Sequence, residues 1–162
     1  DPKHRLHDPF IELLKDIKEK TSLNPILLAR DREDKMLFTI KKMYIPSADI
    51  LTTKNNFSFI QKRISECQFL LSGRYHHLIF AANTGTQICP FSSSSHKIEG
   101  LSELLSSYEK PISVFDPTDI HFHKKSILNY IHSILNQSPP WNQDELKTKF
   151  VNSLNNIINE IK

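Results

Sequence analysis

The chain has 162 residues, of which 38% are hydrophobic and 24% charged, and its formal net charge is +3 at pH 7 with the histidines neutral. These values are ordinary for one globular domain that buries a core without disulfides or metal. They exclude an integral membrane protein, because no stretch approaches roughly 20 apolar residues. The charge is also too small to indicate a nucleic-acid partner.

The first residues of the chain indicate whether it carries a signal peptide. The first ten residues, DPKHRLHDPF, show no apolar run after their basic residues, so we predict no signal peptide. Because the chain starts at Asp1 and not at methionine, we expect a fragment of a longer protein.

Cys67 and Cys89 form no C-x-x-C pattern, which favours reduced thiols in a cytoplasmic protein. The Lys-, Asn- and Ile-rich composition is typical of a bacterial, AT-rich genome.

Short apolar runs alternate with stretches of helical spacing along the chain. The predicted order is helix Phe10–Lys20, strand Pro25–Arg30, helix Asp31–Tyr44, strand Ser47–Thr52, helix Phe57–Cys67, strand Phe69–Ser72, helix Arg74–Asn83, strand Thr86–Phe91, helix Lys97–Tyr108, strand Pro111–Phe115, helix Ser126–Asn136 and a C-terminal helix over 141–162.

Strands that alternate with helices indicate βαβ units. We therefore predict an α/β fold, with a Rossmann-like parallel sheet of about five strands and helices on both faces. Residues 1–162 are taken as a single domain of this kind. Ligands of such sheets bind at the carboxyl ends of the strands. Two strand-to-helix junctions fit this rule, one after Ser72 and the other after Phe91.

The first junction reads Ser-Gly-Arg-Tyr-His-His. A helix start offers backbone N–H groups and a positive dipole end to an anion. Gly73 is expected to allow a tight turn and close approach of a ligand. Arg74 adds a planar fork suited to carboxylate or phosphate, and His76 can donate to the same ligand or carry a proton. Pairing of Arg74 with a carboxylate and a core role for His76 are the alternatives. For His77 we favour a structural or solvent-facing role.

The second junction, SSSSHKIEG, covers Ser92 to Gly100. The hydroxyls of Ser94 and Ser95 and the ammonium of Lys97 can bind an anion together with the helix start. Glu99 falls in the first helical turn, where it suits the dipole or can accept a sugar hydroxyl. The alternatives are that Ser95 is only an N-cap and that Lys97 is only solvated.

Together the two segments resemble the C-terminal signature of the polysaccharide pyruvyl transferase family. That signature is Ser-x-Arg-x-His, an apolar helix, a Gly-x-Pro-type turn, a strand and a short loop that ends in lysine. The resemblance covers about Phe69 to Leu101, and Gly85 matches the glycine. Gln87 stands where proline is usual, which we expect to affect only the turn. Tyr75 stands where leucine is common and would alter the pocket wall.

The resemblance implies two Rossmann-like domains that face each other across a cleft, as in GT-B glycosyltransferases. This chain would be the C-terminal, donor-side half, with the acceptor-binding half upstream. The implied reaction transfers a pyruvyl group from phosphoenolpyruvate to sugar hydroxyls, forming a ketal in a surface polysaccharide or in its lipid- or nucleotide-linked precursor. Arg74 and Lys97 would hold the anions of phosphoenolpyruvate, Ser72, Gly73, Ser94, Ser95 and Glu99 would line the site, and His76 would be the general acid.

Two other functions are compatible with the same residues. A glycosyltransferase of the same architecture would use Arg74 and Lys97 to grip the phosphates of a nucleotide sugar. A non-catalytic module would bind only partners or sugar. The His-x-His pair at His121 and His123 lacks a third ligand, so we predict a loop there, and neither metal nor cofactor is implied. The expected location is the cytoplasm, with the inner face of the membrane included, and the isolated domain is expected to be inactive.

Overall fold

The computed structural model describes residues 7–29, 34–52, 57–106, 111–135, 137–146 and 148. Helices and short strands alternate through these ranges, which confirms the α/β class. The elements are α1 His7–Thr21, β1 Ile26–Ala29, α2 Lys35–Met43, β2 Asp49–Thr52, α3 Phe57–Ser65, β3 Phe69–Ser72, α4 Tyr75–Thr84, β4 Gln87–Pro90, α5 Lys97–Leu105 and α6 Ile120–Ile134. None of the helices in the described ranges is long and apolar enough to cross a bilayer.

The chain divides into two compact units. The first is made of Asp1–Arg63 and Phe115–Ser133, and the second of Ile64–Val114 and Ile134–Lys162. Each unit contains one pair of hydrogen-bonded parallel strands, β1–β2 in the first and β3–β4 in the second. Every candidate residue of the two junctions belongs to the second unit.

In the first unit, β1 and β2 run parallel from the pair Ile26–Asp49 to the pair Ala29–Thr52. The buried residues of helix α1 recur every three or four positions, so they form one apolar face that packs into the core. Helix α2 buries Ile40, whereas its two methionines, Met36 and Met43, are exposed. The buried core of this unit includes Ile11, Leu13, Leu14, Ile17, Leu27, Ala29, Ile40, Ile45, Ile60, Ile120, Ile127 and Ile131.

In the second unit, β3 and β4 run parallel from the pair Phe69–Gln87 to the pair Ser72–Pro90. All four residues of β4 are buried, as expected for a strand that is covered on both faces. Helix α4 connects the two strands and buries Leu78, Ala81 and Ala82. It ends at Gly85, whose left-handed conformation, with φ of 73°, is the usual glycine C-cap.

Two side-chain hydrogen bonds connect the segment after α6 to the elements β3, α4 and β4. The Gln87 side-chain amide is buried and donates to the carbonyl oxygen of Gln137 over 2.7 Å. The Trp141 indole N–H donates to the carbonyl oxygen of Ala82 over 3.0 Å. The expectation that Gln87 affects only the turn is therefore wrong. Its amide holds a segment about fifty residues further along the chain, which proline at this position has no donor to do.

The predicted sheet of about five strands is not seen. The described residues form two separate two-stranded sheets. Residues 111–114 are irregular, and only Phe115 makes an isolated bridge. Pro111 has no backbone N–H, and the N–H of Ile112 donates to the Ser106 hydroxyl over 2.8 Å in place of a neighbouring strand. The run is therefore apolar without being a strand.

Helix α6 begins six residues before the predicted Ser126, at Ile120. Asp116 caps a 3-10 turn, Pro117–Asp119, by accepting from the N–H of Thr118 over 2.8 Å, and this turn runs directly into the helix. His121 and His123 are consequently exposed helical residues, and the predicted loop is wrong there. Two residues apart on a helix, their side chains do not share a face. Most of the predicted C-terminal helix over 141–162 lies outside the described residues, although residues 143–146 are helical.

Candidate functional site

The first junction begins where β3 ends. The hydroxyl of Ser72 accepts a hydrogen bond from the main-chain N–H of Arg74 over 3.0 Å, which turns the chain out of the strand. Arg74 is the N-cap residue of α4, with an extended backbone (φ −105°, ψ 114°), and no side chain caps the helix start. The first turn of α4 therefore leaves donors to a ligand or to solvent.

The second junction has the same character. Ser93 and Ser95 form a local turn in which the Ser93 hydroxyl donates to the Ser95 carbonyl oxygen over 3.2 Å. His96, one residue beyond the expected Ser95, is the N-cap of α5, and again no side chain caps the helix. Lys97 is the first helical residue and is exposed. Within the described ranges Lys97 makes no ion pair, so its ammonium group can meet a ligand.

Parallel pairing brings the two junctions side by side. Ser72 lies opposite Pro90, and the N–H of Phe91 donates to the carbonyl oxygen of Ser72 over 2.9 Å. A Cβ atom placed on Gly73 would lie 3.6 Å from Phe91 Cβ, Phe91 O and Ser92 O. The backbone after β3 is therefore in van der Waals contact with the backbone after β4. Both junctions open at the carboxyl end of one strand pair.

This contact also corrects the reason given for Gly73. Among the described glycines only Gly85 has a positive φ, so Gly73 is not needed for a left-handed turn. A distance of 3.6 Å to its neighbours is ordinary packing and leaves room for a methyl group. The tight turn is therefore not what requires glycine here, and the approach of a ligand stays a prediction.

Three basic side chains gather at the start of α4. Arg74 and His77 are half-buried and His76 is exposed, with the His76 ring edge-on to Tyr75 at a centroid distance of 5.8 Å. Burial and, after it, the positive charges of Arg74 and His76 together lower the pKa of His77 to about 4. His77 is therefore neutral at pH 7, and its ring is half-buried.

Helix α5 carries two orphaned polar atoms that the sequence did not single out as a pair. One carboxylate oxygen of Glu99, Oε2, is buried without a hydrogen-bond partner in the described part of the chain. The hydroxyl of Ser102, one turn further along the helix, is also buried without a hydrogen-bond partner in the described part of the chain, and Ser102 is 3% exposed. Helices α4 and α5 contact each other. The signal that was missed is a serine three residues after Glu99 on an otherwise apolar face.

The remaining candidates are surface groups. Ser94 and Ser95 are exposed in the loop between β4 and α5. Cys89 is fully buried in β4, where burial raises the pKa of its thiol and keeps it unreactive. No cluster of three His, Cys, Asp or Glu side chains in the described ranges is arranged to hold a metal.

The cleft in the first unit and the two junctions in the second unit are different candidate ligand sites. A cleft of about 440 Å³ lies in the first unit, lined by Lys15, Lys18, Glu19, Ser22, Tyr44 and Ile45, and none of the junction residues lines it. We assign the candidate site to the junctions, because two uncapped helix starts with adjacent cations are a specific arrangement for an anion, whereas an open cleft is not.

Comparison with known proteins adds no relative. No protein-family model matches the chain, and neither a curated protein nor a solved structure is significantly similar to it.

Proposed function

We propose that this chain is the phosphoenolpyruvate-binding, donor-side half of a pyruvyl transferase. The observation that carries the proposal is the parallel pairing of β3 and β4, which sets the Ser72–Arg74 junction against Phe91 and Ser92. The resemblance of these same residues to the pyruvyl transferase signature supplies the substrate. On this proposal the two strand pairs belong to a Rossmann-like domain of GT-B type, and an acceptor-binding half completes the cleft.

The two junctions suit a ligand with two anionic groups. Phosphoenolpyruvate has a carboxylate and a phosphate, and each helix start offers uncapped N–H groups and a positive dipole end. The Arg74 guanidinium is suited to a bidentate contact with one anion, and the exposed Lys97 ammonium adds a point charge for the other. Hydroxyls of Ser72, Ser94 and Ser95 are available as further donors.

Proton transfer is assigned to His76. As imidazolium it donates a proton to the methylene carbon of phosphoenolpyruvate, which becomes the methyl group of the product. The adjacent carbon acquires oxocarbenium character and is attacked by a sugar hydroxyl. Loss of inorganic phosphate and attack by a second hydroxyl complete the ketal. The acceptor is a sugar of a surface polysaccharide or of its lipid- or nucleotide-linked precursor, modified in the cytoplasm or at the inner face of the membrane.

Ligand protection tests the binding half of this proposal. Phosphoenolpyruvate should raise the melting temperature of the chain in proportion to the logarithm of its concentration, and Arg74→Ala should abolish the shift. Arg63→Ala is the matched control, since Arg63 lies in α3, outside both junctions, and forms an ion pair with Asp49 at 3.8 Å. Protection by a nucleotide sugar and not by phosphoenolpyruvate would favour the glycosyltransferase. No protection by either ligand would favour a non-catalytic module.

Turnover tests the catalytic half. The complete protein should release inorganic phosphate from phosphoenolpyruvate only when a sugar acceptor is present, and His76→Gln should lower the rate by about 10²- to 10⁴-fold, the usual contribution of a general acid. His132→Gln, at an exposed position of α6 outside both junctions, is the matched control. No turnover by the complete protein across a broad panel of acceptors would count against the proposal.

A further inference from the structure

The cleft of the first unit lies at the end of the β1–β2 pair opposite to the usual ligand edge. It is lined by the last turns of α1, by Ser22, and by Tyr44 and Ile45, which precede β2. Its volume of about 440 Å³ falls within the roughly 300–1,000 Å³ typical of small-molecule sites. Ile45 is buried and the lysines are at or near the surface, so the cleft has an apolar floor and a cationic rim.

Two ammonium groups at this rim have no carboxylate partner among the described residues. Lys15 Nζ lies 5.3 Å from the centroid of the Tyr44 ring, and Lys18 Nζ donates to the Ser47 hydroxyl over 2.6 Å. Ion pairs are formed elsewhere in this unit, by Arg63 with Asp49 and by Lys124 with Asp16. Both lysines are held in place by neutral partners and keep their charge for a ligand.

Among the residues that line the cleft, two lysines stand against one carboxylate, that of Glu19. Helices α1 and α2 both end beside it, and each carboxyl end contributes roughly half a negative charge. Glu19 adds one more. Against these stand Lys15 and Lys18 in the lining, and outside the lining the lysines of the last helical turns, Lys20, Lys41 and Lys42, of which Lys41 donates to the carbonyl oxygen of Ala48. Neutralising the helix ends therefore accounts for only part of this positive charge.

A serine, Ser22, occupies a left-handed backbone conformation that glycine adopts more easily. Ser22 follows the last residue of α1 with φ of 57°, a left-handed conformation, and it is the one non-glycine residue with positive φ in the described ranges. A side chain there costs roughly 1–2 kcal/mol relative to glycine, and Ser22 lines the cleft together with Lys15 and Lys18.

From these observations we propose that the cleft is a second, independent anion site that takes a phosphate monoester between Lys15 and Lys18. The hydroxyls of Ser22 and Ser47 donate to the phosphate, and the organic part of the ligand rests on Tyr44 and Ile45. The phosphate belongs either to a soluble metabolite or to the headgroup of a lipid. Met43 beside the cleft is 64% exposed, which fits contact with a bilayer in the second case.

The test is a titration of the ¹⁵N-labelled chain, followed by amide chemical shifts, with inorganic phosphate and with glycerol 3-phosphate. Saturable shifts at Ser22, Tyr44 and Ile45 are expected. Lys15→Gln with Lys18→Gln should weaken the affinity by about tenfold or more, as loss of charge-assisted hydrogen bonds does. Lys20→Gln, an equal change of charge on the same helix outside the cleft lining, should change it less than about twofold.

Vesicles distinguish the two sources of phosphate. Sedimentation with phosphatidylcholine vesicles that contain phosphatidic acid, lost in the double variant and kept in Lys20→Gln, identifies the lipid headgroup. Binding of only the soluble esters identifies a metabolite. The proposal is overturned if neither probe binds, if the shifts are confined to α4 and α5, or if Lys20→Gln weakens binding as much as the double variant does. The shift map of the unmodified chain keeps the test valid if the double variant unfolds.

Discussion

The main-chain N–H of Phe91 donates a 2.9 Å hydrogen bond to the carbonyl oxygen of Ser72. This bond extends the β3–β4 pairing one residue past β4, to the point where both chains turn into helices. It joins the Ser-Gly-Arg junction to the serine-rich junction. Main-chain geometry therefore sets the positions of the two junctions that form the candidate anion site.

The glycines of the second unit should respond differently to alanine. Gly85→Ala is expected to lower the free energy of unfolding by about 1–2 kcal/mol, because φ is 73° and the added methyl group would displace the Gln143 side chain. Gly73→Ala should change it by less than about 0.5 kcal/mol, since the space is open and φ is not positive. Urea unfolding of both variants checks this, and equal losses would contradict the backbone assignment.

Gln87→Ala should loosen the segment after α6. It removes the buried amide that donates to Gln137 O, at an expected cost of about 1–2 kcal/mol. Gln137→Ala is the control, because that position contributes its main-chain carbonyl and its own side chain is exposed. Trp141, the only tryptophan in the chain, donates to Ala82 in the same region, so its fluorescence reports the change directly. Equal fluorescence changes in both variants would argue against a role for the Gln87 amide.

Stability should fall as the pH is lowered from 6.5 to 4, in part through His77. Its pKa is about 4 in the folded chain and 6.5 in the unfolded one, so the unfolded chain binds the proton first. The contribution is complete above pH 6.5 and lost by about pH 4. Because the half-buried ring is screened by water, we expect about 1–2 kcal/mol and not the full value of the shift.

His77→Gln should flatten the dependence of unfolding free energy on pH within that window. The matched control is His132→Gln, on the exposed side of α6, which should leave the slope unchanged. Urea unfolding at several pH values measures both slopes. An identical slope for His77→Gln and the unmodified chain would show that the imidazole is not held neutral by its surroundings.

Two serines one turn apart on and after α5 should have opposite effects. Ser102→Ala is expected to be neutral or to stabilise by up to about 1 kcal/mol, because it removes a buried hydroxyl without a partner. Ser106→Ala should destabilise by about 1–2 kcal/mol, since its hydroxyl donates to Ser102 O and accepts from the N–H of Ile112. Thermal melts compare the pair, and a clear loss in Ser102→Ala would mean that its hydroxyl has a partner in solution.

The sequence was most informative where local signals agree. The run Phe69–Ser72 was predicted as a strand with the observed bounds, because an apolar run ends at a Ser-Gly turn. Helix α4 and its C-cap at Gly85 were predicted for the same reason. Asp-Pro-Thr-Asp, at residues 116–119, is a helix-start sequence, whereas the apolar spacing predicts a helix that begins only at Ser126.

Other features depend on tertiary contacts and were not predictable. Pro111–Phe115 has the composition of a strand, yet Ile112 finds its acceptor on Ser106 and no partner strand extends the sheet. The burial of His77 and the orphaned hydroxyl of Ser102 are set by the neighbours of α4 and α5. The cationic cleft combines α1 with residues that precede β2, which no single motif contains.

The Ser72–Pro90 pairing has a kinetic consequence. The interval between these residues is occupied almost entirely by α4, so the contact closes over a short loop whose entropy loss is small. A small entropy loss favours early formation of this contact. The two candidate junctions should thus come together as a local event during synthesis, before the distant segment that contains Gln137 and Trp141 has left the ribosome.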